Sequence, residues 1–148
     1  MTLARLVASL GGIGHLRPAP GTWGSAAVLP CVLLGPLPCL ALAALACALG
    51  FWALHALSAE AASDPGWVVI DEAAGQLLAL AVLPVPSLAG VIAAFALFRL
   101  FDITKPGPVG WADRQHGPLG VMLDDVIAGA MAAATLVIVQ YLVPGVLS

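Results

Sequence analysis

Apolar residues run along this chain in long blocks separated by short polar stretches. Residues 37–57 are 21 positions without a charge, about 31 Å as a helix against a hydrocarbon core of ~30 Å. Residues 123–143 match that length and carry charge only at their first positions. Both blocks predict membrane spans. Three shorter blocks follow the same character: 24–34, which contains Pro30 and stops at Gly35-Pro36; 71–83, which ends at Pro84-Val85-Pro86; and 87–101. At roughly 16–22 Å as helices they predict half-spans, re-entrant segments or core helices behind the long ones. The expected fold is all-α, one integral membrane bundle of about five apolar helices over residues 1–148. Residues 1–10 lack the long apolar stretch and cleavage site of a signal peptide and predict a short helix lying at the interface.

If the breaks at 35–38 and 84–87 are tight reversals, loops 11–23, 58–70 and 102–122 share one side of the membrane. The two tips and the C-terminus then share the other. Every charged side chain falls on or near the first side, which the reversal scheme alone does not require. All five basic residues, Arg5, Arg17, Arg99, Lys105 and Arg114, belong to it, so the positive-inside rule turns it toward the cytoplasm.

Composition agrees. The chain is 61% hydrophobic and 9% charged, with mean hydropathy +1.06, whereas soluble domains carry about a quarter charged residues. A net charge of −3 without a basic run argues against nucleic acid as a partner. Cys31, Cys39 and Cys47 sit in apolar segments and read as small buried hydrophobes. Trp23, Trp52, Trp67 and Trp111 suit an aromatic belt, and His15 and His55 suit interfacial or packing positions.

Seven of the eight acids gather in a few places: Asp64, Asp71-Glu72, Asp102, Asp113 and Asp124-Asp125. Glu60 reads as solvated and Asp64, before Pro65-Gly66, as a turn residue. Asp71 and Asp124 stand where an aspartate caps a helix N-terminus, and capping is a full alternative for each taken singly. The doublets weigh against it, because a cap needs one carboxylate and a second adds repulsion. Asp102 weighs further, since an acid at a helix C-terminus opposes the macrodipole. Carboxylates at a membrane boundary are costly unless paired or metal-bound, and oxygen-only ligands favour Mg²⁺ or a similar hard cation.

Cations are interleaved with these acids. Arg99 precedes Asp102 by three residues, Lys105 follows it by three, and Arg114 and His116 follow Asp113. Ordinary ion pairs account for some of this; an anion such as phosphate clamped between metal and basic side chains accounts for all of it. The stretch HLRPAPGTWGS adds a Pro/Gly-fixed turn with Thr22 and Ser25 before an apolar helix, either an N-cap or an anion-binding turn.

Three stretches together, PAPGTWGS at 18–25, VVIDEAAG at 68–75 and FRLFDITKPGPVGWADRQHGPLGVMLDDVIAG at 98–129, closely resemble the phosphatidylglycerophosphatase A family over about residues 11–140. The motif positions that carry over are Pro20, Gly21, Thr22, Gly24 and Ser25; Asp71, Glu72 and Gly75; Arg99, Asp102, Lys105 and Pro106; Asp113, Arg114, His116 and Gly117; and Asp124, Asp125 and Gly129. The resemblance implies a Mg²⁺-dependent phosphatase of the bacterial inner membrane, acting on phosphatidylglycerophosphate within the lipid bilayer.

The roles expected for those residues follow from their chemistry. Asp71, Glu72, Asp102, Asp124 and Asp125 supply the metal ligands, with a spare carboxylate or His116 as general base or acid. Arg99, Lys105 and Arg114 stabilise phosphoryl charge, and Thr22 and Ser25 bind phosphate or glycerol. Three rivals are weaker. A CDP-alcohol phosphotransferase lacks its D-G-x-x-A-R core here, an ion-coupled carrier expects acids at mid-membrane, and a structural subunit leaves the polar motifs without a purpose. The sequence does not set an oligomeric state.

Overall fold

A computed structural model of the chain describes residues 1–61 and 65–148. Asp64, expected in a turn, lies outside the described residues. Among these, all regular structure is helical and no strand occurs, as the apolar blocks predict.

Helix α1 (Leu3–Ala8) is capped by Thr2, whose hydroxyl accepts from the Arg5 N–H at 3.2 Å. A 3₁₀ turn (Ile13–His15) leads to α2 (Pro20–Ala27), which continues as a 3₁₀ segment (Leu29–Leu34) once Pro30 interrupts the α-helical ladder. Gly35 turns the chain at φ 97° and Pro36 opens α3 (Pro36–Ala56), followed by α4 (Ser58–Ala61) and α5 (Ile70–Leu80). Ser87 accepts from the Gly90 N–H at 2.9 Å and caps α6 (Leu88–Thr104). After a left-handed Lys105, φ 47°, come α7 (Pro108–Asp113) and the long α8 (Gly117–Leu142).

The short α5 is the centre of the fold. It packs between α3 and α8, touching α2 and α6 as well, while α8 also holds α6 and α7. One apolar cluster joins α1, α3 and α5 through Ala8, Ala43, Leu54, Ala73 and Leu77. A second joins α5, α6 and α8 through Leu80, Phe98, Ala128 and Leu136. Small residues dominate these seams, the packing of helices whose outer faces are apolar too. Accordingly Leu37, Leu40, Leu45, Leu88, Ile92, Val137 and Ile138 point outward. Helices α3 and α8 are long and apolar enough to cross a membrane, and only 33% and 44% of their apolar windows are buried in the protein.

Several boundaries differ from the sequence-based expectation. Helix α2 begins at Pro20 instead of residue 24, because Pro at the first helical position needs no N–H partner. Helix α6 runs on to Thr104, α7 forms inside the expected loop, and α8 starts at Gly117, six residues before the expected 123. The tip at 84–87 does lie by the C-terminus: the Ser87 hydroxyl donates to the Leu147 carbonyl, and Gln140 Nε2 donates to the Val82 carbonyl at 3.2 Å.

Candidate active site and metal centre

The early start of α8 decides how its two aspartates are read. Asp124 and Asp125 lie two turns inside the helix and are buried, so neither caps it; His116 occupies the N-cap position without a side-chain cap bond. Asp71 likewise sits past the start of α5, where Val69 holds the N-cap position. Its Oδ1 accepts from the Glu72 N–H at 3.1 Å. The capping alternative therefore falls for Asp124, whereas Asp71 satisfies a first-turn N–H without holding the N-cap position.

Helices α5 and α8 cross where Gly75 meets Gly129, so closely that a Cβ on Gly129 would lie 2.7 Å from the Gly75 Cα. One turn before each glycine come the acids. Carboxylate oxygens of Asp71, Glu72 and Asp125 lie within 4.8 Å of one another. Glu72 Oε2 and Asp125 Oδ1 are buried with no hydrogen-bond partner among the described residues. Burial pushes the Glu72 carboxyl above its ordinary value; a hydrogen bond with Asp71 works against this, the charge of Asp102 adds to it, and the charge of Arg99 opposes it. Three converging carboxylates, two of them with an unpartnered oxygen, are unfavourable alone, and all-oxygen donors suit a hard divalent cation. The residues present fit such an ion.

The two remaining acids expected as ligands are paired. Asp102 Oδ2 accepts from Arg99 Nη1 at 2.5 Å. Asp124 Oδ2 accepts from Lys105 Nζ at 2.5 Å, and Lys105 also reaches Asp113 Oδ1 at 2.7 Å. Burial alone would lower the Lys105 pKa, but the hydrogen bonds and charges of Asp113 and Asp124 outweigh it and raise it. Lys105 is reached this way because its left-handed conformation ends α6 and turns the side chain back toward α8. Arg99 keeps one more buried donor, Nε, without a partner among the described residues.

The first turn of α2 closes the site from the side. A Cβ on Gly21 would collide with the Glu72 carboxylate and come within 3.3 Å of Arg99 Nη1, so a side chain there would push the Glu72 carboxylate from its place. Thr22 is half-buried in that turn. Ser25 is fully buried, and its hydroxyl donates back to the Gly21 carbonyl at 2.9 Å. It braces the turn from behind.

The structure thus brings together Asp71, Glu72, Asp102, Asp124, Asp125, Arg99 and Lys105, with Asp113 added through Lys105. Arg114 and His116 are exposed and share no hydrogen bond or ion pair with the cluster among the described residues. His116 lies about 12 Å up the α8 axis from Asp124. Trp67, expected in an aromatic belt, stacks on His15 with centroids 6.0 Å apart and lies under Arg5 at 4.7 Å. Glu60, expected to be solvated, is exposed and pairs with Arg5 at 3.6 Å. Two buried polar residues have no counterpart among the sequence-based candidates: Ser9, at the end of α1, and Gln76, one turn after Glu72. The signal for Gln76 is a carboxamide in the otherwise apolar stretch that follows Glu72.

Among known proteins, the family described as Phosphatidylglycerophosphatase A matches residues 6–140. Phosphatidylglycerophosphatase A of Haemophilus influenzae is 39% identical over 137 residues, covering 88% of this chain and 84% of that protein. The Escherichia coli protein of the same name is 35% identical over 144 residues, covering 93% and 84%. A Bacteroides thetaiotaomicron relative, 36% identical over 143 residues and covering 89% and 90%, carries the provisional name phosphatidylinositol-3-phosphatase. No solved structure gives a significant match. With the match spanning nearly the whole chain, and including every residue of the carboxylate site, this protein belongs to the phosphatidylglycerophosphatase A family.

Proposed function

We propose that this protein is a Mg²⁺-dependent phosphatidylglycerophosphatase, a phosphoric monoester hydrolase that removes the terminal phosphate of phosphatidylglycerophosphate and leaves phosphatidylglycerol. The observation that carries the reading is the buried triad Asp71, Glu72 and Asp125 with two unpartnered oxygens, flanked by the cationic side chains of Arg99 and Lys105, in a chain of this family.

Asp71, Glu72 and Asp125 hold the cation. When bound, it supplies neutralisation of phosphoryl charge and Lewis-acid activation of the attacking water. Arg99, fixed by Asp102 and with Nε unspent, donates to a phosphoryl oxygen and stabilises charge that grows in the transition state. Asp124, paired with Lys105 beside the cluster, takes the proton from water. His116 is too far along α8 for this task. The first turn of α2, with Thr22, meets the substrate's phosphate or glycerol through N–H groups that precede the helix's first hydrogen bond. Ser25 supports that turn.

Helices α3 and α8 cross the bilayer, the outward leucines and isoleucines meet acyl chains, and the lipid headgroup reaches the carboxylates at one face. Basic residues concentrated on that face orient it to the cytoplasm, in a bacterial inner membrane.

Phosphate release from phosphatidylglycerophosphate by purified protein in detergent tests the reading, with phosphatidylinositol 3-phosphate as a second substrate. Release is expected with Mg²⁺, absent with EDTA, and lost in Asp124→Asn and Asp125→Asn proteins that remain folded. Release insensitive to EDTA, or retained in both variants, overturns the mechanism; release from the inositol lipid alone overturns the substrate.

A further inference from the structure

Gln76 is fully buried in α5, and both carboxamide atoms, Oε1 and Nε2, lack a hydrogen-bond partner among the described residues. Native proteins leave few such groups, because burial removes water and nothing repays it. The position is informative. Residues i and i+4 stack on one helical face about 6 Å apart, so Gln76 stands one turn below Glu72, whose Oε2 is also unpartnered. The neighbouring Gly75 lies against the backbone of Asp125, whose Oδ1 is also unpartnered. Four orphaned polar atoms on three side chains thus belong to one helix crossing, and none of them bonds another.

Carboxylates offer only acceptors, whereas the carboxamide offers a donor and an acceptor. A ligand that satisfies such a set brings positive charge and hydrogen-bonding protons together. A divalent cation that retains part of its water shell does this, and Mg²⁺ sheds water reluctantly. We infer that Gln76 is a positioning residue of the cation centre, its buried carboxamide completing the polar shell beneath Asp71, Glu72 and Asp125 and holding the water that a hydrated divalent cation keeps. The inference rests on the cation reading of the site given above.

Binding of MnCl₂ alone, followed by the spin-resonance signal of free Mn²⁺ in detergent and competed with MgCl₂, tests it without any turnover. Gln76→Met keeps the volume and removes the orphaned atoms. It is expected to weaken both ions by about tenfold or more, as loss of an outer-shell partner does, without lowering the melting temperature of the cation-free protein. Gln76→Glu is expected to do the reverse: a lower melting temperature without cation and a larger rise when Mn²⁺ is added. A purely structural glutamine would move cation-free and cation-loaded stability together and leave affinity alone in both variants; that result overturns the inference. If the methionine variant fails to fold, the glutamate variant decides. If the unaltered protein binds neither ion, the cation reading itself falls and this inference with it, whereas binding unchanged by either substitution sinks the inference alone.

Discussion

Gly129→Ala probes whether the helix crossing sets the catalytic geometry. A Cβ at position 129 would lie within 3.0 Å of three backbone atoms of Gly75, at 2.7 Å from its Cα and 2.8 Å from its carbonyl carbon. Backbone does not swing aside as a side-chain tip would. Relieving the nearest of these contacts, the one with the Gly75 carbonyl oxygen, to an ordinary van der Waals separation parts α5 and α8 by about 1 Å. Overpacking of this kind costs about 1–3 kcal/mol, and alanine's better helix propensity returns up to about 1 kcal/mol. The net loss of stability is therefore about 0–3 kcal/mol, less than the about 5–15 kcal/mol that holds a typical domain, and the protein stays folded. The acids lie one turn before each glycine, so the same movement separates Asp125 from Asp71 and Glu72. A displacement near 1 Å costs on the order of 10²-fold in rate, so kcat for Mg²⁺-dependent phosphate release should fall at least about tenfold. Gly66→Ala, where a Cβ meets nothing within 4 Å, is the matched control and should leave kcat unchanged. Turnover by Gly129→Ala within about threefold of the unaltered protein would refute the claim that this close helix approach sets the site.

Lys105→Met removes the ammonium that pairs with the buried Asp124 and should cost about 1.5–3 kcal/mol, the worth of hydrogen bonds to charged groups, read as a lower melting temperature; adding Asp124→Leu should recover part of the loss. Because the folded pKa of Lys105 is raised, its pairing is fully present below the ordinary lysine value and lost only as pH climbs through the higher folded one, so a melting series from pH 6 to 9 should show no step from it. Arg99→Lys gives up the planar fork that serves Asp102 and a phosphoryl oxygen together, and kcat should drop about 10²-fold with the fold intact by circular dichroism. Ser25→Ala loses one hydroxyl bond to the Gly21 carbonyl, about 0.5–1.5 kcal/mol of stability, with KM unchanged; Thr22→Val should instead raise KM, and equal effects of the two on KM would contradict their placement.

Long charge-free blocks and a confined set of acids were enough, in the sequence, to predict helices, two lengths that suit a bilayer, and a polar cluster at one end. Those follow from local composition and from the cost of charge in an apolar setting, neither of which needs tertiary packing. Helix starts were less legible. The doublet Asp124-Asp125 looked like a boundary because charge changes there, yet Gly117-Pro118 is the true start, and the aspartates ride two turns inside α8 only because α5 and α7 bury them. The split among the five acids is a tertiary fact. Asp71, Glu72 and Asp125 converge where two glycines let backbones touch, while Asp102 and Asp124 meet Arg99 and Lys105. Spacing along the chain gives each acid the same claim to a metal. Helix crossing, the left-handed turn at Lys105 and the approach allowed by Gly21 decide which oxygens are left without partners, and so where a cation belongs.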